Sequence, residues 1–304
     1  MKQRRRLRPL AAITVVVLAA GCSTGGSTLT QSPAGPSVVH RQLSFAGQTR
    51  NYRVYVPTTL DPRRPAPLVL VMGGVGDTAD SMTNATGFDH EAETGNFVVA
   101  YAEGINQNWA AGFCCSGTRS NTVDDVGYLN HLLDRLEADH KIDAARVYAV
   151  GVSAGAMMAY RLGCQDADRI AGVGSVAGAM LLDACQPARP VSVIEIHGTA
   201  DPLVPYNGGA VSPPGVATQP VPATTGLVQH WAGLDTCPDP ATTQTQPPVT
   251  TTTWSGCALG TGVRLVTIDG GGHTWYATGF GAVNGSIDAT HAIWSFLGSL
   301  RRAG

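Results

Sequence analysis

Arg146-Val147-Tyr148-Ala149-Val150-Gly151-Val152-Ser153-Ala154-Gly155-Ala156-Met157-Met158 is the stretch whose reading decides the fold. A β-rich apolar run drives into Gly-x-Ser-x-Gly, and small, helix-favouring residues follow at once. This is the pattern of a strand, a sharp turn and a helix, with the serine at the apex of the turn. On so tight a turn, side chains two positions to either side of the serine collide with strand or helix, so Gly151 and Gly155 suit it. Ser153 is then held at a helix N-terminus, where the dipole and the Ala154 amide can stabilise a developing oxyanion. The pattern alone is weak, since Gly21-Cys22-Ser23-Thr24-Gly25 matches it with no strand before it. Context selects the second match.

Working outward, the chain alternates strands with helices. Residues 38–45 and 52–56 alternate polar and apolar around a turn at Gly47, as a hairpin of edge strands does. Leu68-Val69-Leu70-Val71-Met72 is continuously apolar, as a strand buried on both faces should be, and it ends in Gly73-Gly74-Val75-Gly76-Asp77. Residues 97–101 form the next strand. Residues 124–140 place Val126, Leu129, Leu132, Leu133 and Leu136 at helical spacing, with Asp124 and Asp125 read as N-terminal helix charges. Residues 170–176, 191–196 and 263–268 are further strands, and 224–234 and 288–300 further helices. Residues 236–253, rich in Thr and Pro, read as a surface loop. The sum is an α/β fold: one mostly parallel central sheet with helices on both faces, spanning residues 38–304 as one domain.

In such sheets the chemistry gathers at the carboxyl ends of the strands, which predicts where the partners of Ser153 lie. The strand 191–196 is followed by His197-Gly198-Thr199-Ala200-Asp201-Pro202, which sets Asp201 just past its end. The strand 263–268 is followed by Asp269-Gly270-Gly271-Gly272-His273-Thr274-Trp275, which sets His273 in a glycine-rich loop able to fold over the serine. The order Ser, Asp, His is that of the α/β hydrolases. In this reading His273 takes the Ser153 proton and Asp201 fixes the imidazole tautomer. Glu195 is a rival acid, but its place inside a strand suits a buried structural role, and His197, one of eight histidines, reads as a structural one. The oxyanion hole needs a second amide from the loop after Met72, either Gly74 or Val75.

Here a resemblance becomes specific. The segments starting at Asn108-Trp109-Ala110-Ala111-Gly112-Phe113-Cys114-Cys115, Val123-Asp124-Asp125-Val126-Gly127-Tyr128-Leu129, Gly151, His197 and Gly270 resemble the polyhydroxybutyrate depolymerase/feruloyl esterase family over about residues 40–300, including actinobacterial lipoprotein esterases. The resemblance implies an α/β-hydrolase fold and a secreted carboxylic ester hydrolase with Ser153, Asp201 and His273 as its triad. Two positions depart from the family. Met72-Gly73 stands where the family has His-Gly, and Tyr276 follows Trp275 where the family has Pro. Trp109, Phe113, Trp275 and Tyr276 lie in loops expected around the serine and are candidates for the substrate pocket. The expected partner is an ester: a small acyl ester, a polyester oligomer or a feruloylated saccharide. Two other readings fit the same residues, a binding module that retains the fold without turnover and an acyltransferase on the same triad.

The remaining features bound the setting. Of 304 residues, 43% are hydrophobic and 14% charged, which is globular. Lys2, Arg4, Arg5, Arg6 and Arg8 precede an apolar run over residues 10–20, too short to span a bilayer, so residues 1–21 read as a signal peptide. Ala19-Ala20-Gly21-Cys22 resembles a bacterial lipobox, with Cys22 lipidated and residues 22–37 a flexible tether. Losing the leader removes five of 20 basic and none of 22 acidic residues, leaving a formal charge of −7. A mildly acidic chain has no electrostatic reason to hold nucleic acid, and its membrane contact is expected through the lipid anchor only. Six cysteines remain, and export permits disulfides. Cys237 and Cys257 bracket the Thr/Pro stretch, Cys164 can reach Cys185, and Cys114 with Cys115 is left as an awkward neighbouring pair. No cofactor is expected and no metal, since paired ligand spacings are absent and residues 73–76 lack a Walker lysine.

Overall fold

The structure, a computed structural model, describes residues 36–115, 123–213, 216–277 and 286–302. The leader, Cys22 and the tether up to residue 35 lie outside them. Ten strands form one sheet: β1 (Ser37–Phe45), β2 (Gln48–Val56), β3 (Ala66–Met72), β4 (Val98–Ala102), β5 (Ile142–Val152), β6 (Gly172–Val176), β7 (Ser192–Gly198), β8 (Thr242–Gln246), β9 (Val249–Trp254) and β10 (Val263–Ile268). Their order is β1-β2-β4-β3-β5-β6-β7-β10-β9-β8. The six strands from β4 to β10 in that order are parallel, and an antiparallel hairpin closes each edge.

Successive residues of a strand face opposite sides, and the two cores divide accordingly. Leu68, Leu70 and Met72 of β3 and Ala149 of β5 join one core with helices α3 (Asp125–Asp139), α4 (Ala154–Gln165) and α5 (Thr224–Leu234). Val69 and Val71 of β3 and Tyr148 and Val150 of β5 join the other, under α1 (Ala79–Thr86), α2 (Phe88–Gly95) and α6 (Ala289–Leu297). All seven residues of β3 are buried, each large apolar side chain contributing roughly 1.5–3 kcal/mol. The continuous apolar run thus fits a strand covered by helices on both faces.

Three expectations are corrected. Residues 236–253 are no loop: β8 and β9 form a threonine hairpin on the outer side of β10. β-branched threonine favours strand geometry, and its polarity serves an exposed edge pair, so no apolar alternation betrays the hairpin. Asp125 stands in the first turn of α3 as expected, but it is more than a helix charge. It is buried, ion-paired with Arg50, and its Oδ2 accepts from Ala110 N–H at 2.6 Å, while Asp124 alone caps α3 by accepting from Gly127 N–H at 2.8 Å. Finally, β2 is not an edge strand, because it pairs with β4 as well as β1.

The structure joins Cys164–Cys185, Cys237–Cys257 and the neighbouring Cys114–Cys115, whose peptide is cis with Cα atoms 3.2 Å apart. Among the described residues no helix is long and apolar enough to cross a membrane.

Candidate active site

The turn between β5 and α4 explains its own sequence. Ser153 has φ +55° and ψ −121°, a conformation that costs an L-residue energy and needs support on both sides. Its N–H donates to Val176 O of β6 at 3.0 Å, and its C=O accepts from Met157 N–H at 3.0 Å. A Cβ on Gly151 would stand 2.4 Å from Gly155 C, and one on Gly155 would stand 2.1 Å from Met72 O. Neither position admits a side chain without moving backbone. Ala154, the first residue of α4, presents its amide beside the serine.

The loop after β3 approaches the same serine. A Cβ on Gly74 would lie 3.2 Å from Ser153 Cβ, so the Gly74 backbone runs close against the serine side chain. Of the two amides weighed from sequence, Gly74 N–H donates to Asp77 Oδ2 at 2.8 Å and is therefore engaged. Val75, about half exposed, follows at the rim of the same pocket. Met72 is fully buried in the core and cannot tie the loop as a histidine would. Other groups do so instead. Trp109 Nε1–H donates to Gly73 O at 3.0 Å, Gly76 N–H donates to Gln107 O at 2.8 Å, and Ser81 donates to Asp77 Oδ1 at 3.1 Å.

Asp201 and His273 sit past the ends of adjacent strands β7 and β10. His273 Nδ1 lies 2.8 Å from Asp201 Oδ2, so Nδ1 carries the proton that the carboxylate accepts and Nε2 is left for another partner. Asp201 Oδ1 accepts from Leu203 N–H at 2.8 Å and Val204 N–H at 2.9 Å. Burial alone would raise the carboxyl, but the donors from His197, His273 and Val204 hold it well below the usual carboxylate range. One bond clips the two loops together, Ala200 N–H donating to Gly271 O at 2.9 Å, and within the His273 loop Tyr276 OH donates to Gly272 O at 2.6 Å. A Cβ on Gly198 would stand 2.1 Å from Gly271 O, which is why glycine occupies both sides of the contact.

Ser153, Ala154, Val75 and His273 line one pocket of about 400 Å³ whose other walls are mainly apolar. Among the described residues no direct hydrogen bond joins Ser153 to His273, and such bonds commonly tighten only when substrate arrives. Of the four aromatic candidates, Trp275 lines the pocket. Trp109 is buried beneath the β3 loop, Tyr276 is buried under the His273 loop, and Phe113 packs against the core. Sequence reasoning did not name Met82, Cys115 or Met157 as pocket residues, yet they line it, and Cys115 Sγ lies 3.7 Å from Met157 Sδ.

The elbow and the sheet around it define an α/β hydrolase. The chain belongs to the phospholipase/carboxylesterase family, which matches residues 58–215, and is a carboxylic ester hydrolase. Among its relatives is NocK of Nocardia uniformis subsp. tsuyamanensis, provisionally named an esterase, with 32% identity covering 80% of this chain and 75% of that protein. Feruloyl esterase B of Piromyces equi is 28% identical over 74% of this chain, which spans only 42% of that longer protein. An acetyl xylan esterase from Aspergillus awamori has the same fold, with TM-score 0.58 at 16% identity, covering 85% of this chain and 99% of that one. The esterase and feruloyl-esterase side of the expected resemblance is the side these relatives carry.

Proposed function

We propose that the chain is an exported serine esterase, lipid-anchored through Cys22, that works through an acyl-enzyme on Ser153. The observation that carries this reading is the Asp201–His273 hydrogen bond of 2.8 Å on the rim of the pocket that holds Ser153. His273 Nε2 takes the hydroxyl proton as Oγ attacks the ester carbonyl carbon. The C=O electron pair moves onto oxygen, where the Ala154 and Val75 amides meet the negative charge, since the Gly74 amide is already engaged by Asp77. His273 then returns the proton to the departing alkoxy oxygen, leaving the acyl ester of Ser153 and a free alcohol. Water enters by the same steps in reverse and releases the acid. Met82, Cys115, Val152, Met157, Val216 and Trp275 offer an apolar wall, suited to the acyl group of a neutral ester. Feruloyl esters are the substrate named for a relative; a small acyl ester fits the wall as well.

The test is hydrolysis of p-nitrophenyl butyrate and methyl ferulate by the protein from Ser23 onward, with intact mass after fluorophosphonate treatment. Turnover and one adduct are expected, with Ser153→Ala losing the adduct and roughly 10³-fold or more of the rate. A folded wild-type protein with neither turnover nor adduct would refute the reading. Anchoring is tested separately: a lipid-modified mass at Cys22 in membranes, lost in Cys22→Ala.

A further inference from the structure

Behind the pocket lies a buried pair that the proposed reaction does not use. His197, the penultimate residue of β7, has no exposed side-chain surface, nor has Glu195 two residues before it. His197 Nδ1 lies 2.9 Å from Glu195 Oε1, and Nε2 lies 2.9 Å from Val204 O and 3.3 Å from Asp201 Oδ2. A backbone carbonyl and a carboxylate only accept, so Nε2 must carry a proton. Nδ1 faces a carboxylate too, with only Thr224 Oγ1 at 3.4 Å as a further neighbour, so the contacts ask for a proton there as well. Glu195 is itself fixed from two other elements: Tyr160 OH of α4 donates to Oε2 at 3.0 Å, and Gly178 N–H past β6 approaches Oε1 at 3.4 Å. The ring stands between two carboxylates, Glu195 and Asp201. Tyr206 packs edge-on at 5.8 Å, and His273 and Tyr276 lie beyond Asp201.

We infer that Glu195 and His197 are positioning residues: a buried imidazolium, held by Glu195, that clamps Asp201 and the turn to Val204 so that Asp201 can orient His273. The inference rests on the serine-esterase reading for its effect on rate, but not for the charge of the ring. Burial opposes that charge, yet the Asp201 and Glu195 carboxylates outweigh it and push the imidazole up to about 10. The clamp grips one turn at two points, since Asp201 Oδ1 already accepts from Leu203 and Val204 N–H while His197 holds Val204 O. A cation at this place also draws on the Asp201 charge that would otherwise stabilise a protonated His273. The two histidines therefore compete for one carboxylate oxygen.

Nitrogen-15 NMR of the wild-type protein reads the charge directly. The His197 ring is expected to show two protonated nitrogens at pH 7, and a neutral ring there would overturn the inference whether or not the protein is active. His197→Gln is expected to lower kcat roughly tenfold to a hundredfold with KM within about twofold, short of losing Asp201 itself. It should also move the acid limb of the kcat/KM profile to higher pH, because the competing cation is gone. Glu195→Gln keeps the size of the group while releasing the second proton, and should move the limb the same way by less. A folded variant of either kind with wild-type kcat and an unmoved limb overturns the positioning role. Failure of the serine-esterase reading is seen differently, as a wild-type protein without turnover or fluorophosphonate adduct.

Discussion

Strand β7 has a buried aspartate at each end, and their environments are opposite. At the carboxyl end, Asp201 accepts from Leu203 and Val204 amides and from the rings of His273 and His197, and its carboxyl is held well below the ordinary range. At the amino end, Asp235 reaches back from the end of α5 to Val191, beside the first residue of β7. Its Oδ1 accepts from Val191 N–H at 3.1 Å, and among the described residues its Oδ2 has no hydrogen-bond partner. Asp235 has no exposed surface, and burial pushes its carboxyl up to about 7. The same side chain, buried at both ends, is thus held anionic at one end and pushed toward its neutral form at the other. Burial raises both carboxyls, and donor supply decides whether that rise is overcome. The carboxyl ends of parallel strands open into loops that can bring donors together, and the amino ends abut packed backbone.

Removing the anion at the carboxyl end should produce the largest effect. Asp201→Asn keeps the shape but offers an amide where two imidazoles need an acceptor, so His273 is no longer held with Nε2 free. kcat/KM is expected to fall by roughly 10⁴-fold, with fluorophosphonate labelling of Ser153 slowed alongside. A loss of under tenfold in a folded variant would show that the well-supplied end owes nothing to its charge.

At the amino end the expected effect is on stability and has a definite sign. Because the folded value of Asp235 lies above that of the unfolded chain, the stability it confers is full below about pH 4. It is lost as pH rises through about 7. Asp235→Asn removes the ionisation, so urea unfolding at pH 8 should show a variant more stable than wild type by on the order of 1–3 kcal/mol. The difference should shrink toward pH 4, with kcat unchanged. An equal gap at both pH values would place the effect in packing rather than charge.

The contrast between the two ends also marks what could be read from residues alone. The elbow was legible because its glycines answer a local collision: Gly151 against Gly155, and Gly155 against Met72 O. The sites of Asp201 and His273 followed from a rule about strand ends, which needs only the strand and the order of residues. Asp125, Glu195 and His197 were legible as buried or helical, but not as members of networks. Their partners Arg50, Tyr160 and Val204 come from other elements, and no spacing in the chain announces them. Helices α1 and α2 were missed for a related reason. Their apolar residues are few, and α1 is held instead by the capping box of Thr78 and Ser81 and the left-handed Gly87. The threonine hairpin was missed because both its faces are polar.

Two tryptophans sharpen the comparison at the smallest scale. Trp231 Nε1–H donates to Val191 O at 2.7 Å, at the amino end of β7, and Trp109 Nε1–H donates to Gly73 O at 3.0 Å, at the carboxyl end of β3. Both rings are buried, both bonds are to a backbone carbonyl, and replacing either by phenylalanine leaves that carbonyl unpaired. Each substitution is expected to cost about 1–3 kcal/mol of stability, measured by urea unfolding. Only Trp109→Phe should change turnover, lowering kcat roughly tenfold with KM nearly unchanged, because Gly73 precedes the amides proposed to meet the oxyanion and a loosened turn weakens the transition state more than the ground state. If Trp231→Phe lowered kcat equally, the amino ends would be coupled to the chemistry and the division between the two ends of the sheet would fail. If neither did, the hold of Asp77 on Gly74 N–H would be sufficient to keep the β3 loop in place without the indole, and Asp77→Asn would be the substitution that separates the two supports.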